Sequence, residues 1–101
     1  MTQVYHAKLL VKQHMYEDAM IKFEDASTME PKNKCTVSLG MADCLRLKGD
    51  YKQALEHYNY VSMNQVSLQK DLSIKKAICF IELKQYDKAI SELDLVKFLL
   101  N

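Results

Sequence analysis

Three histidines, three cysteines and two adjacent carboxylate pairs are the residues in this chain that could carry chemistry. A metal site on a helix needs ligands three or four residues apart, so that they share one face. No two of His6, His14 and His57 have that spacing, and no cysteine joins one at a ligand interval. His6 reads as core-flanking, His14 as part of a turn and His57 as lying on an outer helix face. Cys44 and Cys79 read as small packed hydrophobes. Cys35 opens a helix after Lys32 and Lys34, and of the three it is the thiol whose setting favours reactivity. Glu17–Asp18 and Glu24–Asp25 are sequence neighbours, and neighbours on a helix point to different faces. They cannot converge as acid and base. There is no Ser-His-Asp set, no HExxH motif and no glycine-rich phosphate loop. The chain reads as non-enzymatic, without cofactor or metal.

Composition narrows the classes further. The 101 residues, 49% apolar and 27% charged, suit one soluble domain spanning 1–101. Two glycines and one proline are too few for an all-β or nucleotide-binding fold, so helices are expected. A net charge of +1, with Arg46 the one arginine, argues against nucleic acid and membrane surfaces. No apolar run approaches the roughly 18 residues of a membrane span. The first ten residues lack the basic start and apolar run of a secretory leader. Three cysteines with no close pairing fit reduced thiols in a cytoplasmic or nuclear protein.

The elements that must position these residues repeat. Tyr16, Tyr51 and Tyr86 lie 35 residues apart, as do Ala7, Ala42 and Ala77, and Ala19, Ala54 and Ala89. Looser matches fall on the same grid: Leu10, Leu45 and Phe80; Phe23, Tyr58 and Leu93; Ala26, Val61 and Val96. Within a unit the apolar spacing is helical, as in Val4, Ala7 and Val11. The spacing predicts helices near 2–13, 16–29, 34–47, 51–63, 70–83 and 86–100. They pair antiparallel in units of about 1–33, 34–68 and 69–101. Asp50 is placed to cap the helix opening at Tyr51, Pro31 closes the first unit, and 63–69 forms the least regular link. Alanine lets paired helices approach closely, and stacking the pairs buries a stripe that one pair alone cannot.

This grid resembles the tetratricopeptide repeat family. The second unit carries the match best, with Ala42, Leu45, Gly49, Tyr51, Ala54 and Tyr58 in the family's order and spacing. Gln3, Ser38 and Ser73 stand where the family has a bulky aromatic, and His6, Met41 and Lys76 where it has leucine. The resemblance implies an all-α fold of three tandem antiparallel helix pairs, stacked as a right-handed superhelical array. It also implies a concave groove lined by the first helix of each pair. On this chain the lining falls on Val4, Lys8, Val11 and Lys12, then Leu39, Asp43, Arg46 and Leu47. In the third unit it falls on Asp71, Ile74, Ile78, Ile81 and Glu82. Such a groove has an apolar floor, basic at its first end and acidic at its last. The clamp by which some relatives hold an acidic chaperone tail is not matched, since its slots hold Gly40 and Asp71.

The function implied is protein–protein interaction or scaffolding within a multiprotein assembly. Cell-cycle ubiquitin ligases, ciliary transport and transcription-associated complexes are typical family settings. The partner would offer an extended or helical segment with apolar anchors. The alternative is a small chaperone or co-chaperone adaptor shielding an apolar client segment. In the last helix, Leu93, Val96 and Leu100 share a face expected to pack on the helix from Leu72 to Leu83. Leu95, Phe98 and Leu99 lie on the other side, a face expected to be covered by a second copy, a partner or a longer array.

Overall fold

The computed structural model describes residues 2–29 and 34–100, and the side chains of residues 2, 66 and 98–100 lie outside that description. Within it the chain forms six α-helices: α1 (Thr2–Lys12), α2 (Tyr16–Met29), α3 (Lys34–Lys48), α4 (Tyr51–Asn64), α5 (Gln69–Glu82) and α6 (Tyr86–Leu100). α1 pairs with α2, α3 with α4 and α5 with α6, and the pairs stack through α2 on α3 and α4 on α5. The array is elongated, 37 × 25 × 19 Å. This is the all-α stack of helix pairs that the repeat grid predicts. None of the described helices is long and apolar enough to cross a membrane.

The alanine grid sets the packing. Ala7, Ala42 and Ala77, and Ala19, Ala54 and Ala89, are all buried. Where a methyl group is the whole side chain, the backbones of a pair come close and leave room for one larger residue a turn later. Phe23 and Tyr58 fill that room and are fully buried. Two apolar clusters result. One joins Val4, Ala7, Ala19, Phe23 and Ala26 to Val37 and Cys44 of the next hairpin. The other joins Ala42, Leu45, Ala54, Leu55, Tyr58 and Val61 to Leu72 and Cys79 of the third. Among the described residues, the first and second hairpins are each closed by the first helix of the next. Replacing Ala54 by leucine should overpack the second cluster and cost about 1–3 kcal/mol. Thermal unfolding checks it, and an unchanged midpoint would mean that Ala54 is not a packing contact.

The turns inside the hairpins share one geometry that the sequence discloses only once. His14, Gly49 and Lys84, again 35 residues apart, all adopt positive φ (62°, 98° and 62°). In each turn the next residue's N–H reaches back five positions: Met15 to Leu10 O, Asp50 to Leu45 O and Gln85 to Phe80 O, at 2.8–2.9 Å. These are left-handed helix caps that satisfy the orphan carbonyls of the first helix. Asp50 stands at the start of α4 but its side chain makes no capping bond. The left-handed turn already delivers the chain there. The link expected to be irregular is mostly ordered: α4 continues to Asn64, and Val66–Leu68 form a 3-10 turn. Gln69 fastens it by donating to Ser62 O at 2.8 Å. Pro31 lies outside the described residues.

Candidate protein-binding groove

On α1, Lys8, Val11 and Lys12 follow i, i+3, i+4 spacing and share one face. On α3, Thr36, Leu39, Gly40 and Asp43 do the same. Together with the Phe23 ring they line an open pocket of about 310 Å³ between the first two hairpins. Gly40 makes this pocket possible. A Cβ there would collide with Cε1 and Cζ of the buried Phe23 ring, so any other residue would force the ring to shift. In the sequence Gly40 stands in a clamp slot where a side chain would be needed; in the fold it is a packing residue.

Val4, expected on the groove floor, is 1% exposed and belongs to the first core cluster. It sits one turn before Ala7, on the side of α1 that α2 covers. Leu39 is half-buried and partly committed to the second cluster. Ile74, Ile78 and Ile81 form an exposed stripe along α5 and are not part of the pocket. Leu47 is likewise exposed. Asp71 and Glu82 are exposed on the same last helix pair as that stripe.

Asp43 and Arg46, expected as separate groove residues, belong to one polar cluster. The Tyr58 hydroxyl donates to Asp43 Oδ1 and accepts a bond from Arg46 Nε at 3.0 Å. Lys75 of α5 donates to Asp43 Oδ2 at 3.1 Å and lies 3.0 Å from Oδ1. Three helices are thereby tied to one carboxylate. Burial, reinforced by the bond to Asp43, pushes the Tyr58 hydroxyl far above its ordinary pKa and keeps it neutral. The repeat grid marks Tyr58 only as a ring, and Lys75 stands in the sequence only as the occupant of an unmatched clamp slot. The i, i+3 pair Asp43 and Arg46 was the one available signal.

A second polar cluster lies between α4, α5 and α6. Lys76, at the family's leucine position, is 8% exposed. Its ammonium donates to Ser62 Oγ at 3.2 Å and Asn59 Oδ1 at 3.4 Å, and lies 3.6 Å from Glu92 Oε1. Glu92 Oε2 is buried with no hydrogen-bond partner among the described residues.

The remaining candidates sort by burial. Cys44 and Cys79 are buried; burial pushes both thiols up, that of Cys79 to about 11. Both stay protonated near neutral pH, as small packed side chains do. Cys35 is half-buried. His6 is exposed rather than core-flanking, because Val4 and Ala7 take the inward positions. His57 is half-buried rather than outward, and burial lowers its pKa. Glu17 forms a surface pair with Lys48 of the next hairpin at 3.4 Å.

The C-terminal helix departs from expectation. Leu93 is 45% exposed while Val96, on the same expected face, is half-buried, and Leu95 is exposed as expected. Leu93 occupies the repeat position of Phe23 and Tyr58, which share their apolar clusters with residues of the following hairpin as well as of their own partner helix. The side chains of Phe98, Leu99 and Leu100 lie outside the described residues. Compared with known families, residues 12–95 match the one described as anaphase-promoting complex, cyclosome, subunit 3. Neither the curated proteins nor the solved structures give a match.

Proposed function

The chain belongs to the family of anaphase-promoting complex, cyclosome, subunit 3, a tetratricopeptide-type repeat family, and from that membership we propose that it is a scaffold module holding a segment of a partner protein. Repeats of this type serve as interaction surfaces rather than as catalysts. The assembly proposed is a multiprotein complex such as a cell-cycle ubiquitin ligase, in the cytoplasm or nucleus, the family's description naming the anaphase-promoting complex.

The observation that supports this reading is the pocket between the first two hairpins. Its walls are apolar (Val11, Leu39, Phe23), and two exposed lysines, Lys8 and Lys12, stand on one rim. An extended or helical segment with one large apolar anchor and a neighbouring carboxylate matches that chemistry. The anchor supplies most of the affinity, and the lysines act chiefly on the association rate and its salt dependence.

Both lysines are exposed, so reversing them leaves the core untouched. Tagged wild-type chain should recover a stoichiometric partner from the cells that make it. The Lys8→Glu/Lys12→Glu variant should recover at least tenfold less at low salt with an unchanged helical spectrum. Equal recovery by the folded double variant would sink the groove reading and move the binding surface elsewhere.

A further inference from the structure

Asp43 stands where the groove meets the junction between the second and third hairpins. It lines the pocket together with Lys8 and Lys12 of α1, yet its carboxylate is taken up by residues that line no part of that pocket. The Tyr58 hydroxyl of α4 donates to Oδ1. The Lys75 ammonium of α5 lies 3.0 Å from Oδ1 and donates to Oδ2 at 3.1 Å, while Arg46 approaches Oδ1 to 3.8 Å. Both oxygens are therefore held by helices beyond α3 in the stack. Lys8 has turned elsewhere, its ammonium 5.8 Å from the centre of the Tyr5 ring. A free carboxylate sharing a wall with two exposed lysines would pair with them, neutralising the rim and occupying the opening. Held, the carboxylate is outweighed, because Arg46 and Lys75 are both drawn to its single negative charge.

We infer that Lys75 and Tyr58 are positioning residues for the groove: by holding Asp43 they keep the Lys8 and Lys12 rim positive, and so set the pocket's preference for an acidic over a basic segment. This rests on the groove reading above and names what fixes its charge selectivity. Specificity here is a difference between two affinities, and a withdrawn carboxylate widens that difference as effectively as an added cation. Replacing Lys75 by methionine leaves Oδ2 without its donor, and the cations remaining on the pocket wall are Lys8 and Lys12. Replacing Tyr58 by phenylalanine loosens Oδ1 with no change of charge. That variant separates the holding of Asp43 from the plain loss of a nearby positive charge.

Two measurements on the full chain test this. The first needs no ligand. A water-soluble carbodiimide joins a carboxylate to an amine in contact with it, forming an amide as the carbodiimide takes up water to become a urea. Peptide mapping of the wild type should find Asp43 coupled to Lys75 and not to Lys8 or Lys12. In Lys75→Met the coupling should move to Lys8 or Lys12. The second compares two blocked peptides, Glu-Glu-Phe-Glu-Glu and Lys-Lys-Phe-Lys-Lys, by the amide shifts they cause in α1 and α3. Wild type should prefer the acidic one. That preference should fall roughly fivefold in Lys75→Met and in Tyr58→Phe, the worth of one charge at short range in a solvent-screened site. Lys75→Arg should keep it, and adding Asp43→Asn to either variant should restore it. Lys75→Gln replaces the methionine variant if helicity is lost. Wild-type coupling of Asp43 to Lys8 or Lys12, no new coupling in Lys75→Met, or a preference that neither variant moves would each overturn the inference while leaving the groove in place. Wild type that binds neither peptide at the pocket would overturn the groove reading and this selectivity with it.

Discussion

Tyr58→Ala should be the most damaging single change in this chain, lowering stability by about 3–5 kcal/mol. Its ring is fully buried at the centre of the second cluster, touching the elements that join the second hairpin to the third. Truncation removes that ring and strands two charged neighbours. Asp43 loses the hydroxyl that donates to it, and Arg46 loses the oxygen it donates to. A chain of this size has about 5–15 kcal/mol in total, so the variant should be close to unfolding at ambient temperature. Tyr58→Phe separates the two contributions. It keeps the ring and removes the oxygen, and the expected loss is about 1–3 kcal/mol. Urea unfolding measures both. A Phe variant as stable as wild type would mean that Asp43 and Arg46 satisfy one another through the 3.8 Å approach between them. A mild effect of alanine would mean that the junction between the second and third hairpins contributes little to stability.

Glu92→Leu should cost about 3 kcal/mol, because it leaves the Lys76 ammonium buried without an opposite charge. The figure lies at the lower end for such pairs because Lys76 keeps its bonds to Ser62 and Asn59. Lys76→Met should also destabilise, since Glu92 already has one buried oxygen without a partner. The double variant Lys76→Met/Glu92→Leu should recover most of the loss, as paired apolar side chains of similar volume fill the space with no desolvation penalty. A double-mutant cycle by thermal or urea unfolding reads the coupling directly. Additive losses would show that the two groups do not depend on one another. A double variant more stable than wild type would show that this ion pair opposes stability and that its value lies in orienting α6 on α4.

The sequence by itself determined the helices, their pairing and the phase of the stack. Period-35 identities at Ala7, Ala19 and Tyr16 and their counterparts are enough for that, because helix spacing assigns residues to a shared face and small residues mark where two helices meet. It also placed Lys8, Val11, Lys12 and Leu39 at the registers where the pocket forms. Tertiary structure decided which faces are covered, and that depends on neighbours many residues away. Val4 has the same spacing as a groove residue, yet α2 crosses over it. Gly40 is critical only because Phe23, from another hairpin, is aimed at it. His14 and Lys84 adopt left-handed turns with no residue signal, since the three-hairpin geometry demands at 14 and 84 what glycine supplies at 49. Asp43 meets Tyr58 and Lys75 across separations of 15 and 32 residues, and Lys76 meets Glu92 on a different helix. Periodicity describes one helix at a time, whereas burial, ion pairing and turn strain belong to the crossing of several.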